Sequence, residues 1–373
     1  MRPSSVLKRA NPALVAPWGA SGRQLFCYSI FSPYQRACRF LWSGRATLLR
    51  SLPRLPWKVV IARNVLAPPR LLIVLACFGY ALSLMASERE LVHDAHFQQG
   101  FHLLQPEQGK RVAYGDVAGL STAGAMWDLA QWSSRFPLRL EDCRCWHDRL
   151  ICSNSAKCVV VEAPAGFAAD LSLAVNASVE YGGHVRQAGS EPWVRLLVQQ
   201  DFEDPPSLGA LAAFQFHLEA RLKRSILART NNYSPSLHAA QFTIFLTVAN
   251  RNPSAPGYKE CFWFGIPIYD NRHRLVPDYE AQDFGQTKLF IYTPGSNHFA
   301  QTSLHDGEWV AFDADILPLV RQGLEHARAR KFIAGSSDLA DYRPLGIFIG
   351  WELPGVFDVE LQMRNLSLKA KTL

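Results

Sequence analysis

The sequence predicts an all-β fold: a two-sheet antiparallel jelly-roll sandwich with one amphipathic helix at about 315–331. Three observations support this prediction. Apolar and polar side chains alternate with a period of two at 214–223 and 357–364, as in strands with one dry and one wet face. Turn-forming residues separate such segments, and only one stretch has a helical period. The chain has no ~30-residue βαβ spacing and no internal repeat, so a parallel α/β fold is excluded.

The other predicted strands are more continuously apolar, which is typical of strands that are covered on both sides or line a concave surface. They are 158–162, 171–179, 193–200, 242–248, 261–268, 289–292, 309–312 and 345–351. The links between them are rich in glycine, proline and asparagine, as at 182–183, 250–257 and 306–307. About ten strands with such links favour two packed sheets.

The single helix is predicted from an apolar stripe that follows Asp315, a suitable N-cap. The stripe comprises Ile316, Leu317, Val320, Leu324 and Ala327. Basic residues cluster near residue 330, where they favour the negative end of the helix dipole. We expect this helix to pack on the sandwich.

The formal charge of +7 comes from a basic leader at residues 1–87. Twelve of the 39 Lys and Arg residues lie there with no acid before Glu88, which leaves 27 basic against 32 acidic residues, a formal −5, for 88–373. We therefore expect no nucleic-acid partner, and a polyanionic ligand is disfavoured. Residues 88–373 are predicted to form a single β-sandwich domain.

The leader ends in an apolar run at 71–86 that follows arginines and leads into small residues. This pattern predicts an export signal and a secreted, periplasmic or cell-surface protein. The run is shorter than the ~20 residues of a typical spanning helix, so a membrane partner is expected only if the segment stays uncleaved. Residues 1–60 are compatible with a transit sequence or an upstream extension.

Four cysteines lie in a predicted Cys-rich loop at 143–158: Cys143, Cys145, Cys152 and Cys158. Two local disulfides are favoured over zinc, because structural zinc sites prefer C-x2–4-C pairs and an exported chain suits disulfides. Cys261, in an apolar strand, is interpreted as a buried thiol. No metal ligand set is predicted, and the histidines lack metal-ligand spacing.

Several stretches combine aromatic rings with planar polar groups, a mixture that suits carbohydrate because sugars present C–H faces ringed by hydroxyls. The candidate ligand-binding residues are Trp193, Gln200, Trp263, Tyr269, Asp270, Arg272 and Trp351. Structural roles compete with each assignment. Tryptophan is commonly a core residue, Gln199 and Gln200 could serve a buried network, and 269–274 could be an ordinary strand-end loop.

An alternative function is a glycoside hydrolase or polysaccharide lyase with Glu352 as the catalytic acid. Glu352 follows an apolar strand, where a raised pKa is expected. Its second carboxylate is not identified by the sequence; Asp201, Glu203, Glu280 and Asp283 all qualify. A third alternative is a structural or adhesive surface protein that binds another protein, for which a flat apolar patch is expected.

The segment "IFIGWELPGVFDVELQMRNLSL", at 347–368, resembles the closing strands of exported concanavalin-like jelly-roll proteins. That group includes carbohydrate-binding modules and the family 12 glycoside hydrolases. The resemblance implies a glycan partner, structural calcium as an option, no other cofactor, and a match of Glu352 to the hydrolase acid. Where the hydrolases carry a nucleophilic Glu, this chain has Gln199 and Gln200, and an amide serves as neither nucleophile nor base. The sequence thus favours a non-catalytic glycan-binding protein.

Overall fold

A computed structural model of the chain describes residues 87–163, 169–229, 231–283 and 287–373. All of them belong to one of the chain's two compact units, Leu55–Leu373. The predicted leader and its export signal lie outside the described residues, so their role and the domain boundary at residue 88 stay predictions. No helix among the described residues is both long and apolar enough to cross a membrane.

The described residues form seventeen strands and two helices, joined in places by short 3-10 turns. The strands are β1 (Glu88–Glu90), β2 (Gly100–Leu104), β3 (Ala113–Ala118), β4 (Trp127–Ala130), β5 (Cys143–Trp146), β6 (Arg149–Ser153), β7 (Lys157–Glu162), β8 (Leu171–Asn176), β9 (Val194–Asp201), β10 (Leu211–Leu227), β11 (Gln241–Asn250), β12 (Cys261–Asp270), β13 (Tyr279–Gln282), β14 (Phe290–Thr293), β15 (Val310–Asp315), β16 (Tyr342–Leu353) and β17 (Phe357–Thr372). The helices are α1 (Ala177–Tyr181) and α2 (Leu317–Ala329). The 3-10 turns are Leu140–Asp142, Leu208–Ala210, Ser296–His298, Leu304–Asp306 and Leu339–Asp341.

The strands form two sheets, which confirms the predicted sandwich. Sheet A has the order β15-β10-β17-β8-β7-β6-β5, and β1 pairs with the end of β17. Sheet B has the order β13-β14-β12-β11-β16-β9-β4-β2-β3. Pairing is antiparallel except for β12 with β14 and β2 with β4, which run parallel. Sheet B is therefore mixed rather than purely antiparallel.

The core lies between the sheets, and Trp351 of β16 shows which face of sheet B is the inner one. Trp351 is fully buried, and its indole Nε1 donates to the carbonyl oxygen of Leu173 in sheet A at 2.9 Å. Its ring also meets Phe242 of β11 edge to face, with centroids 5.2 Å apart. Side chains that share the face of Trp351 point into the core, and their sequence neighbours point away from it.

The predicted helix is present, although shorter, and α2 closes the core beyond the edge of sheet A. Its buried stripe packs near Gly323, where a Cβ would lie 2.7 Å from Tyr292 and 2.9 Å from Phe262. A glycine is needed there for the helix to lie this close to β12 and β14. The predicted N-cap is displaced by one residue, since Ile316 occupies the N-cap position without a side-chain cap and Asp315 ends β15. The Asp315 carboxylate still accepts from the backbone N of Leu317, the first helical residue, at 3.1 Å.

Two segment predictions were wrong. The strand predicted at 171–179 ends at Asn176, because Ala177–Tyr181 turns into a helix that closes on Gly182 in the left-handed conformation (φ 56°). The Cys-rich segment at 143–158 is not a loop, since β5, β6 and the start of β7 run through it. Residues 88–155 also contribute β2, β3 and β4 to sheet B, more regular structure than their sequence suggests.

The disulfide prediction was half right. Cys143 and Cys152 are direct partners in the β5–β6 register and form a disulfide. Cys145 lies opposite Leu150, and Cys158 lies opposite Ser153 and Ala174, so β6 separates these two thiols. Cys145 is exposed, whereas Cys158 and Cys261 are half-buried, and none of the three forms a disulfide within the described residues.

Candidate functional site

The candidate site is the outer face of sheet B, the face opposite Trp351. The strand register defines it, because residues paired across an antiparallel ladder share a face. On the four central strands, β9, β16, β11 and β12, this face carries side chains in rows that run across the strands. We describe three adjacent rows, spaced by two residues along each strand, about 7 Å, except on β12, where a register shift puts the first and second rows three residues apart.

The first row is polar and comprises Arg195, Glu352, Gln241 and Asp270, one from each strand. Arg195 donates from Nε to Oε1 of Glu352 at 2.6 Å, and Gln241 donates from Nε2 to Oδ2 of Asp270 at 2.9 Å. The Arg195 side chain is 6 % exposed and that of Glu352 is 24 % exposed. Glu352 is thus the more accessible member of this ion pair.

Asp270 is saturated with hydrogen bonds and only 2 % exposed. Its Oδ1 accepts from the backbone N of Arg272 at 2.9 Å and from Arg272 Nε at 2.8 Å. Its Oδ2 accepts from Arg272 Nη2 at 2.6 Å in addition to Gln241. Burial tends to raise the pKa of Asp270, but the bonds from Arg272 and Gln241 outweigh it and hold the pKa below its ordinary value.

Trp193 extends the polar row with an aromatic ring held between two guanidinium groups. Arg195 lies 4.2 Å from its ring centroid and Arg186 lies 5.2 Å away. Arg186 is buried, and its nitrogens donate to five backbone carbonyls, among them Leu237 and Pro354. This network fixes the Trp193 ring beside the Arg195–Glu352 pair.

The second row is shallow and consists of Leu197, Gly350, Thr243 and Pro267. Gly350 has a φ of 151°, and a Cβ there would lie 2.2 Å from the carbonyl oxygen of Leu196. Only glycine fits this backbone. Because Gly350 has no side chain and the side chains of Thr243 and Pro267 are short, this part of the row forms a shallow trough beside the polar row.

An aromatic cluster of Phe348, Phe245 and Trp263 forms the other side of the trough. Phe348 and Phe245 are register partners in the third row, and Trp263 stands one row further on β12. The Trp263 ring lies 4.9 Å from Phe348 and 5.6 Å from Phe245, in tilted and edge-to-face contacts. Trp263 and Phe245 are half-buried, so part of this aromatic surface faces solvent.

Edge strand β13 adds Tyr279 to the outer face. Tyr279 pairs with Thr293, whose side chain lies beside Gly265 on that face. Burial raises the pKa of Tyr279, Arg272 lowers it, and the charges of Asp283 and Glu352 raise it further. Tyr279 is 50 % exposed, so part of its ring is accessible to solvent.

A second polar cluster lies on the other side of the aromatic cluster. Arg111 donates to Asp128 at 2.7 Å and to both oxygens of Asp201, at 2.9 and 2.7 Å. Gln199 Nε2 also donates to Asp128, at 3.2 Å, while its Oε1 is buried without a partner among the described residues. The trough is thus framed by hydrogen-bonding groups along two sides.

The structure brings four of the predicted ligand-binding residues to this face: Trp193, Trp263, Asp270 and Arg272. It places the other three, Gln200, Tyr269 and Trp351, on the inner face. Gln200 is buried and bonds the backbone of His93 in both directions, at 2.7 and 2.9 Å. Tyr269 is buried against Trp351 and His305. These three residues serve the fold and offer no surface to a ligand, which corrects their assignment.

None of the four carboxylates considered as partners of Glu352, namely Asp201, Glu203, Glu280 and Asp283, is its register partner on β9 or β11. Asp201 is bound to Arg111 on the far side of the aromatic cluster, and Glu280 pairs with His326 and Arg330 of the helix region. The register partners that flank Glu352 are Arg195 and Gln241. Asp270 stands two strands from Glu352, about 10 Å between Cα atoms, with its acceptors fully engaged.

Sequence reasoning missed Gln241, Phe245 and Phe348. A signal for the first two was present, since Gln241, Thr243, Phe245 and Thr247 alternate with apolar residues along β11. The sequence nevertheless predicts a continuously apolar strand at 242–248, because phenylalanine and threonine are both common at buried positions of strands. Phe348 carries no such signal, because both faces of β16 are rich in apolar residues.

No group of three or more His, Cys, Asp or Glu residues within the described ranges is arranged to hold a metal ion. A cavity of about 710 Å³ among the described residues is lined by residues around 183–187 and 228–232, none of which belongs to the three rows.

No protein-family model matches the chain, and no curated protein matches it. Several solved structures do. A thermostable cellulase derived from Cel12A of Rhodothermus marinus is 13 % identical with a TM-score of 0.33, covering 61 % of this chain and 96 % of that one. Endoglucanase 3 of Trichoderma harzianum, from family GH12, is 11 % identical with a TM-score of 0.33, covering 65 % and 97 %. The family 11 xylanase of Neocallimastix patriciarum is 9 % identical with a TM-score of 0.33, covering 61 % and 94 %.

The structural neighbours thus include family 12 cellulases, the group that the closing strands resemble in sequence. Because the TM-scores are near 0.3, these neighbours say nothing about the function of this chain, which is inferred from its own residues. Likeness to carbohydrate-binding modules and membership of an exported group stay predictions.

Proposed function

We propose that this protein binds a glycan in the trough on the outer face of sheet B and does not cleave it. One observation carries the proposal: the trough, a row with Gly350, Thr243 and Pro267 along it, lies between the polar row and the aromatic cluster. Pyranose rings need an apolar face on one side and planar hydrogen-bonding partners at their edges. Phe245 and Trp263 supply the first, and Glu352 and Gln241 supply the second.

Of the four predicted residues on this face, Trp263 contributes ring surface to the glycan and the other three act indirectly. Trp193 positions Arg195 through its ring contact. Asp270 and Arg272 bond mainly to each other, so they position Gln241 and shape the rim. Tyr279 on edge strand β13 is an added aromatic contact.

The non-catalytic assignment rests on the neighbours of Glu352. Hydrolysis requires two carboxyl groups about 5–5.5 Å apart for retention, or 6.5–9.5 Å apart for inversion. A guanidinium and an amide occupy the flanking positions, and neither acts as a nucleophile or base here. Asp270 would have to give up a bond from Arg272 or Gln241 to accept a proton from water.

The test is a glycan array of neutral oligosaccharides, followed by titration calorimetry with any hit and an assay for released reducing sugar. Wild-type protein is compared with Trp263→Ala and with Trp309→Ala. Trp309 is a matched control, because it is half-buried on the outer side of sheet A, stacked on Arg364 at 4.2 Å. We expect binding without sugar release, lost in Trp263→Ala and kept in Trp309→Ala. Sugar release that depends on Glu352 would support the hydrolase instead.

A further inference from the structure

Three Asn-x-Ser sequences with a middle residue other than proline occur in the described part of the chain: Asn176-Ala177-Ser178, Asn232-Tyr233-Ser234 and Asn365-Leu366-Ser367. This tripeptide is the acceptor for N-linked glycosylation when proline is absent from the middle position. The folded environments of the three asparagines differ. From these differences we propose that Asn232 carries an N-linked glycan and that Asn176 and Asn365 stay unmodified in the folded protein.

Both ends of the Asn176 side-chain amide form hydrogen bonds within sheet A and its connections. Its Nδ2 donates to the carbonyl oxygen of Ser155 at 3.0 Å, and its Oδ1 accepts from Arg224 at 2.9 Å. The hydroxyl of Ser178 donates to Asp358 at 2.9 Å. A sugar on Nδ2 would enter the space of the Ser155 carbonyl and separate these contacts.

Asn365 lies at an exposed irregularity of β17 with a φ of 56°, where carboxylates bind both its side chain and its backbone. Its Nδ2 donates to Glu219 at 2.9 Å, and its backbone N donates to Asp170 at 2.9 Å. The Ser367 hydroxyl donates to Glu90 at 2.6 Å. Both the amide and the hydroxyl of this tripeptide are therefore engaged by carboxylates.

Asn232 lies outside regular structure, in an exposed turn with a φ of 63°. Its side-chain amide forms no hydrogen bond with any described residue. The Ser234 hydroxyl interacts at 2.8 Å with the exposed hydroxyl of Ser236, a contact that water replaces at little cost. Attachment of a sugar here breaks no contact of the fold.

The surroundings of Asn232 also accommodate sugar. Asn232 lines the cavity of about 710 Å³, together with Gly183, His184, Gln187 and Arg229. Amide, imidazole and guanidinium groups are partners that sugar hydroxyls and acetamido groups accept. The sugars next to the asparagine therefore have a polar recess beside the backbone.

The modification is a transfer from a lipid-linked oligosaccharide diphosphate, so the proposal rests on export through a compartment that holds this donor. The Asn232 amide nitrogen attacks the anomeric carbon. The bond from that carbon to the diphosphate oxygen breaks, the lipid diphosphate leaves, and the amide proton passes to a base.

The test uses the full chain, produced in secretory eukaryotic cells with its own leader and, separately, behind a cleavable host signal so that entry does not depend on the leader. Folded protein is treated with an endoglycosidase and mapped by glycopeptide mass spectrometry. Variants are N232Q and S234A, with N176Q and N365Q as matched controls. We expect one glycan at Asn232, absent in N232Q and S234A and retained in both controls. An unmodified Asn232 in translocated protein, or a glycan at Asn176 or Asn365 of folded protein, would overturn the proposal. Occupancy is measured without any sugar-binding assay, so this outcome is independent of the trough.

Discussion

Arg195 and Glu352 face each other across β9 and β16, with Nε of the guanidinium 2.6 Å from Oε1 of the carboxylate. Arg195 is 5 % exposed, and its Nη1 is buried without a partner among the described residues. The one accessible carboxylate of the polar row is thus a counter-ion. Under the proposed function, this pair serves recognition of the glycan, because Glu352 is held by a guanidinium group and not by a second carboxylic acid.

Glu352→Gln is expected to weaken both stability and glycan binding. The change leaves the buried Arg195 charge without its carboxylate, so the free energy of unfolding should fall by roughly 1–3 kcal/mol. Urea denaturation measures this loss, and calorimetry measures affinity. Glu325→Gln, on the exposed side of α2, is the control and should change neither. Unchanged affinity in Glu352→Gln would remove Glu352 from the proposed site.

Trp351→Phe should lower stability and leave glycan binding intact. The variant loses the hydrogen bond to Leu173 that joins the two sheets and leaves a small void, a cost of roughly 1–3 kcal/mol. The midpoint of urea denaturation and the affinity for the glycan are measured on the same sample. If the affinity of Trp351→Phe for the glycan falls at temperatures where the variant is fully folded, Trp351 contacts the ligand and its core assignment is contradicted.

Asp270→Asn should reduce stability in a manner that depends on pH. The pKa of Asp270 is held below its ordinary value of 3.8, so its carboxylate stabilises the fold above that pH and loses this effect as pH falls through the folded-state pKa. The stability difference between wild type and variant should therefore be constant from about pH 5 to 7 and shrink below about pH 4.

Denaturation of both proteins at a series of pH values checks this expectation. Asp306→Asn is the control, because the Asp306–Arg274 pair is largely exposed and contributes little. A wild-type to Asp270→Asn difference that grows toward low pH would contradict the assigned role of Arg272.

The cysteines should react in a fixed order with a thiol reagent under native conditions. Cys145 is exposed and should be labelled first, while burial raises the pKa of the Cys158 thiol and slows its reaction. Cys143 and Cys152 should react only after reduction, which should lower the free energy of unfolding by about 3 kcal/mol. Peptide mapping identifies the labelled residues, and Cys145→Ser is the stability control. A disulfide between Cys145 and Cys158 would contradict the register.

The sequence was sufficient to predict the sandwich, because alternation survives wherever one face of a strand is wet, as in β10 and β17. It was insufficient to assign side chains to the inner or the outer face where a strand is apolar on both sides. Trp351 and Phe348 lie on opposite faces of β16, and only the pairing with β9 and β11 distinguishes them. Gln199 and Gln200 illustrate the same limit: one had to face the core, and it is Gln200.

Long-range pairing explains the remaining misses. Lys157 and Glu180 are both fully buried and bonded to each other, although neither residue type is expected in a core. Their partnership depends on α1 closing over β7, which no local pattern reveals. Cys145 and Cys158 lack a disulfide for the equivalent reason, because a strand of sheet A separates them.

The central claim is tested most directly by titrating wild type and Trp263→Ala with the oligosaccharide that binds wild type best on an array. The account predicts saturable binding by wild type, an affinity about tenfold or more lower in Trp263→Ala, and an unchanged affinity in Trp309→Ala. Equal affinity of wild type and Trp263→Ala, or no binding by wild type to any oligosaccharide, would contradict it.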